Sequence, residues 1–332
     1  MTMECRAAPV FALVFVAATS TLAAARVQPE WPTNVRANSS AGVTTDVPAP
    51  VSPASVSPAP ASGPDASDDP RLNFTPDEQW TLRVEPSVWF VSPGGDLILP
   101  GGSGGGPTQI DRVEISDLNI DTPRLSPYGK LHLRTGNFQL GLMGFSYSID
   151  RDATMPRDVV LGDVRANAGD VLRTGLDYAS FEAEGLYRII DRPIGFLSDG
   201  RRTLMSSVDL LAGIRVHDVA FEVDRVRGTA TGPSSASADE IFVEPIVGVR
   251  GELEFDETFN VHVQLSAGYW PTEQEVLSWD VSAGFAYRPV PNLGVQIGYR
   301  QLAFRLESGE GAERFNYRGS LAGLYFGLFL RF

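Results

Sequence analysis

Residues 259–270 read FNVHVQLSAGYW, and apolar and polar side chains take turns along the whole stretch. Phe259, Val261, Val263, Leu265, Ala267 and Tyr269 share one face of an extended chain, while Asn260, His262, Gln264, Ser266 and Gly268 share the other. A period of two marks a strand whose two faces meet different surroundings. Two further stretches repeat it. Leu277, Trp279, Val281, Ala283, Phe285 and Tyr287 oppose Ser278, Asp280, Ser282, Gly284 and Arg288, and Leu293, Val295, Ile297 and Tyr299 oppose Gln296 and Arg300. From Trp80 onward ten such segments can be placed, at about 80–92, 127–136, 138–149, 175–190, 204–221, 241–255, 259–270, 277–288, 293–305 and 317–332. No helical period competes with them, so the chain reads as all-β.

The connections carry independent information. Alternate linkers are tight, GN at 136–137, DET at 256–258 and PVPN at 289–292, with a longer exception at 191–203. The intervening ones, 93–126, 150–174, 222–240, 271–276 and 306–316, are mostly long and polar. Short turns at one end and long loops at the other predict a transmembrane antiparallel up-and-down β-barrel of about ten strands over 77–332, with both barrel termini on the short-turn side. Segment 138–149 loses its phase near Gly144, where Phe145, Tyr147 and Ile149 change face. A bulge there or a misplaced boundary accounts for the change, and either would shift the count to eight or twelve.

Alternation would also suit a soluble sandwich, so the charges on the polar face decide. Arg83, Glu85, Lys130, Arg134, Glu182, Glu184, Arg188, Asp209, Arg215, Glu244, Arg250, Glu252, Asp280, Arg288 and Arg300 all fall on it, with the two signs nearly balanced. Such a set is costly inside a sandwich and acceptable in a lumen. A ten-stranded lumen is narrow, so these charges are expected to meet across it and close it; a small-solute passage is the competing reading. The three histidines, His132, His217 and His262, fall on the same face.

The N-terminal part is of another kind. Arg6 precedes AAPVFALVFVAATSTLAAA, which ends in an Ala-x-Ala site at Ala23 to Ala25, and residues 1–25 therefore read as a secretory signal. A membrane anchor fits less well, because the apolar core is short and holds Pro9. Cys5, the only cysteine, lies ahead of that core. Residues 26–76 include VPAPVSPASVSPAPASGPDASDDP, too poor in large apolar groups to offset backbone entropy. They read as a disordered periplasmic linker, with a ligand for a proline-recognising partner or a tether to another envelope layer as the alternative. A formal charge of −14 argues against nucleic acid. The Gly-rich stretch 92–109 lacks the Lys-Ser/Thr ending of a phosphate loop, and SADE at 237–240 matches no calcium loop and reads as a solvated loop. No cofactor or metal is expected.

The last eight residues, YFGLFLRF, resemble the C-terminal assembly signal of outer-membrane β-barrel proteins, carried by Tyr325, Gly327, Leu330 and Phe332. More broadly, EPSVWFVSPGGD, SDLNID, FVEPIVGVRGEL, SWDVSAGFAYR and LGVQIGYRQL look like the OmpA-like and OmpW-like outer-membrane barrel families over roughly 80–332. The resemblance implies a monomer in the outer membrane of a diderm bacterium, partnered by outer-membrane lipid and the barrel-assembly machinery, with extracellular ligands met through the loops. No peptidoglycan-binding domain of the OmpA kind is read in the sequence, so wall anchoring is not implied. Barrels of this broad class also include lipid A hydrolases and omptin-like proteases. A deacylase needs its Ser/His pair on the lipid face, where none of the histidines lies, and His217 and Asp218 are strand neighbours that point apart. A non-catalytic chain is therefore expected. RVEISDLNID, residues 112–121, is expected to fold inward as a constriction near Asp117.

Overall fold

Strands of this composition leave unpaired backbone groups along both edges, and closing the sheet on itself removes both edges at once. The computed structural model describes residues 80–101, 111–196, 202–255, 258–272 and 274–332. Its strands are β1 (Thr81–Ile98), β2 (Val113–Glu114), β3 (Arg124–Thr135), β4 (Phe138–Thr154), β5 (Val159–Leu161), β6 (Val164–Ala166), β7 (Val171–Phe196), β8 (Arg202–Arg227), β9 (Ser235–Phe255), β10 (Phe259–Pro271), β11 (Glu275–Val290), β12 (Leu293–Ser308) and β13 (Phe315–Arg331). Ten of them, β1, β3, β4 and β7 to β13, pair in chain order into one antiparallel ring, and β13 closes on β1. The closing ladder runs from Arg83 opposite Arg331 to Ile98 opposite Asn316, and Leu82 and Phe332 exchange backbone hydrogen bonds of 3.1 and 2.8 Å below it. The short β2 adds onto the upper end of β1, and β5 and β6 form a separate hairpin. The signal and linker segments at 1–76 lie outside the described residues, as do the glycine-rich 102–110 and residues 197–201.

The barrel is inside-out relative to a soluble protein. Phe259, Val263, Leu265, Trp279, Val281, Phe285, Val295, Ile297, Leu324, Phe326 and Leu328 are all exposed on the outer wall. The charged Arg215, Glu244, Asp280 and Arg300 are buried inside. Only an apolar solvent around the wall makes that arrangement stable. Aromatic rings cluster toward the two ends of the apolar belt. Phe259 and Tyr287 stack at 5.0 Å near the short-turn end, and Tyr269 and Trp270 lie near the other.

The strands are longer than their patterns. β7 and β8 each run for 26 residues, and stretches expected to be loops at 150–174 and 222–240 are largely strand. The reason lies in β4. Its pairing with β3 and β7 continues without a register break, so there is no bulge at Gly144. Phe145, Tyr147 and Ile149 point inward like Met143 before them; what changes is the surroundings. Below Gly144 the outward residues are Phe138, Leu140 and Leu142, whereas above it they are Ser146, Ser148 and Asp150. The same inversion falls between Phe181 and Asp177 on β7, between Ile214 and Asp218 on β8, and between Ile241 and Asp239 on β9. Above that line the barrel wall continues into water, and there it needs an apolar interior.

That interior is the hydrophobic core. Trp89, Phe145, Tyr178, Phe221, Phe242, Phe304, Phe315 and Tyr317 fill the upper barrel, joined by Leu97, Leu99, Val113, Ile115, Leu118 and Ile120. The segment after the glycine-rich stretch therefore does fold inward, but as an apolar stopper. Asp117 sits only partly buried on its turn, with its backbone N–H bonded to the Glu114 carbonyl. The Gly94–Gly95 pair, expected in a flexible loop, lies within β1. Gly95 has φ 121° and lies so close to the Arg318 carbonyl that a Cβ would sit 2.0 Å from it, which only glycine allows.

Candidate functional site

Arg215 lies inside the barrel because the alternation of β8 turns it inward. It is fully buried and its guanidinium reaches four other strands. Nε and Nη2 donate to Glu182 Oε2 on β7 at 3.0 and 2.9 Å. Nη1 donates to Glu244 on β9 at 3.3 Å and to Ser278 on β11 at 2.8 Å. Nη2 also donates to Ser266 on β10 at 3.1 Å and to Asp280 on β11 at 3.1 Å. Arg300, from β12, shares Asp280 through contacts of 3.2, 3.2 and 2.5 Å. Its other side is packed by the rings of Trp89, Tyr128 and Phe145, 5.3, 5.4 and 5.6 Å from its Cζ. Arginine suits both positions, since its planar fork makes several directed bonds and its flat face stacks.

Above this layer, Glu244 accepts from Ser278 at 2.5 Å and lies 3.1 Å from His217 Nε2. The Tyr178 hydroxyl is 2.5 Å from His217 Nδ1. With Nε2 protonated, His217 donates down to the ion-pair layer and accepts from the aromatic layer, so it joins the two. Tyr178 then stacks on Phe145 and Phe304 at 5.5 and 5.4 Å.

A second polar layer lies toward the short-turn end. Glu85 is 2.5 Å from Arg83, 3.5 Å from His132 and accepts from Gln296 at 3.1 Å. Gln139 donates to His132 at 2.9 Å, and Gln264 to Glu184 at 3.1 Å. Arg188 pairs with Asp209 at 2.9 Å and approaches Glu252 at 3.8 Å, the same distance at which Arg250 approaches Glu252. Arg288 meets Glu254 at 2.7 Å. The ammonium of Lys130 lies over the rings of Tyr128 and Tyr325, 5.6 and 6.0 Å away. Arg134 donates to the Gly136 carbonyl at 3.3 Å in the turn after β3.

All fifteen charged positions read from the alternation therefore lie on the inner face, and the structure joins most of them into two layers. The sequence reading missed what the charges need around them. Ser266, Ser278, Gln264, Gln296 and Tyr178 supply bonds that the acids and bases alone leave unmade. Inward glycines supply space: a Cβ at Gly268 would lie 2.2 Å from Glu244, one at Gly141 2.7 Å from Glu184, and one at Gly284 2.3 Å from the Tyr325 hydroxyl. Glycine opposite a large inward side chain, as Gly141 is opposite Glu184, was the available signal.

The C-terminal residues divide between wall and lumen. Tyr325 is buried inside, with its hydroxyl 3.1 Å from His262 Nε2 and its ring 5.6 Å from that of Tyr128. Gly327 lies opposite Ser87 in the closing ladder, and Leu330 and Phe332 face outward. His217 is wholly buried whereas Asp218, its neighbour, is exposed.

No protein-family model matches the chain, and no curated protein matches it in sequence. Among solved structures it is similar to the outer membrane protease OmpT from Escherichia coli, at 13% identity and a TM-score of 0.43, over 79% of this chain and 99% of that one. It is also similar to Neisserial surface protein A, at 13% identity and a TM-score of 0.30, over 76% and 97% of the two chains. A third is Ail, the attachment invasion locus protein of Yersinia pestis, at 12% identity and a TM-score of 0.27, over 76% and 99%.

Proposed function

We propose that this chain is a closed outer-membrane β-barrel of a double-membrane bacterium whose work is done outside the cell, by the tall β-rich head that the barrel carries. The observation that carries the reading is the filling of the lumen. An ion-pair layer around Arg215 and Arg300 crosses the barrel, and an aromatic and aliphatic core lies directly above it. A conducting pore needs a continuous wet path, and an apolar core of this kind opposes one. The reading makes the chain a structural or surface-interaction protein, not an enzyme, and His217 a joint between layers instead of a base.

The N-terminal signal and linker fit delivery to the periplasm, with the linker remaining there. The motif resemblance supports a place among the OmpA-like and OmpW-like barrels in the broad sense. Tyr325, Gly327, Leu330 and Phe332 would present β13 to the assembly machinery, and outer-membrane lipid would surround the apolar belt. The test is conductance of the full refolded chain in planar bilayers. The expected trace shows no stable openings. Stable wild-type openings whose size changes when Arg250 or Glu252 is neutralised would overturn the closed reading in favour of a narrow channel.

A further inference from the structure

The upper part of one strand of the ring is paired on one side only. β9 pairs with β8 along its whole length, from Ser235 opposite Asp224 to Phe255 opposite Leu204, with no register break. On its other side it pairs with β10 only from Phe255 to Ile246, which lies opposite Gly268. From there β10 follows β11 alone, up to Pro271 opposite Glu275. Pro245 stands where the ladder stops, and a residue with no N–H is at home on an edge. Among the described residues no strand pairs with Ser235–Pro245 on that side. At ~3.3 Å per residue this is roughly 35 Å of sheet edge.

Natural edges are blunted by charge, especially lysine, by proline, by bulges or by a covering element, and here proline stands only at the foot of the edge, at Pro245. This one has an unbroken ladder behind it, and its charges are acidic. Asp239 is exposed on the outer face, and the adjoining outer face of β8 carries Asp218 and Glu222, opposite Ile241 and Ser237 in register. Asp177 on β7 extends the acidic face, lying opposite Ala220. The lower end is apolar, with Ile241 and Val243 exposed. A second copy pairing edge to edge would set Asp239 and Glu240 against their own counterparts, which like charges directly opposite disfavour.

We propose that the upper edge of β9 accepts an extended, basic segment of an extracellular polypeptide by strand addition. Main-chain bonds to Ser235–Pro245 would supply affinity, and lysine or arginine at alternate positions would meet Asp239, Asp218 and Glu222 and set specificity. SADE at 237–240, expected in the sequence to be a solvated loop, is thereby part of the receiving strand. The proposal rests on the reading that the head faces the outside, but its test is separate from conductance. A barrel that conducts and still captures the peptide would remove the closed-lumen reading and leave this one standing.

The probe is a synthetic peptide of about ten residues that alternates Lys with Val or Thr, offered to the full chain in lipid nanodiscs. Binding is read by fluorescence anisotropy and its place by amide hydrogen exchange. The expected result is binding with slowed exchange confined to the edge at 236–244, and at least a tenfold weaker Kd for Asp239→Lys. Asp239→Asn serves as the milder variant if the reversal misfolds, with heat-modifiable gel mobility reporting the barrel. A peptide of the same charge carrying Pro at every third position is expected not to bind. Equal binding of that peptide would show attraction by charge alone and overturn strand addition. Absence of binding, protection elsewhere, or protection of the edge in a peptide-free dimer would overturn the proposal as well.

Discussion

Arg215 shows how much one side chain can be asked to do in a narrow barrel. Its neighbours Glu182, Glu244 and Asp280 come from three strands, and all four side chains are shielded from water. Removing the cation leaves three carboxylates facing one another, so Arg215→Ala is expected to cost about 3–5 kcal/mol, the usual range for breaking a buried pair from one side. The measurement is the guanidinium midpoint of unfolding from lipid vesicles, and an unchanged midpoint would show that water replaces the guanidinium at no cost. Asp170 plays a comparable part in the head. Its carboxylate accepts the backbone N–H groups of Asn167, Thr229 and Ala230 at 3.0, 2.9 and 3.3 Å, tying the β6–β7 turn to the β8–β9 turn. The bond from Asn167, with those from Thr229 and Ala230, holds its carboxyl below the ordinary aspartate range. A depressed folded value means that its contribution is full above the unfolded pKa of about 3.9 and is lost as pH falls through the folded one. Exchange at Thr229 and Ala230 is therefore expected to stay slow and pH-independent, after correction for intrinsic rates, from neutral pH down to about 5 and to quicken below about 4. Asp170→Ala is expected to show the quickened rate throughout; equal protection in both proteins would remove this role for Asp170.

At the scale of the strand, alternation proved a reliable guide wherever hydrocarbon lies on one side and charge on the other. β10, β11 and the first half of β12 were legible residue by residue for that reason. Each upper segment failed in one way: the chain stays a strand while the two environments exchange places, so the pattern is preserved in geometry and inverted in chemistry. Phe145 and Tyr147 mark the exchange on β4, and read without the neighbouring strands they look like a slip of phase. The fifteen lumen charges were legible because parity alone places them. Their grouping was not, because Arg215 is bonded to Ser278, 63 residues away, and Gln264 to Glu184, 80 away, and no local spacing encodes such meetings. Facing glycines were the overlooked part of the code. Gly284 makes room for the Tyr325 hydroxyl, so Gly284→Val is expected to expel the ring, break its contact with His262 and lower the unfolding midpoint. A shift in tyrosine fluorescence without any loss of stability would show that Tyr325 has another place to go.

Across the whole molecule two unlike layers stand in series inside the barrel, and the closed-lumen proposal makes each of them a seal. The lower one is electrostatic and is held by Arg215 and Arg300. The upper one is hydrophobic and includes the stopper residues Ile115, Leu118 and Ile120, each fully buried. On that proposal the series has a simple consequence: either layer suffices, so damage to one alone is expected to be electrically silent. Leu118→Asp with Ile120→Asp should wet the upper core, loosen the head and leave bilayers quiet, because the arginine layer still crosses the barrel. Arg215→Ala alone should destabilise the barrel and remain quiet under the intact aromatic core. Combined, the substitutions should give openings, and their selectivity follows from what is left in the lumen. Glu182, Glu244 and Asp280 would face the path without the Arg215 guanidinium, which favours cations. Bilayer recordings of the two parents and the combined variant, each with heat-modifiable mobility intact, test the arrangement. Openings from the stopper variant alone would mean that the lower layer is no barrier, and anion selectivity in the combined variant would mean that the remaining arginines, not the freed carboxylates, line the way through.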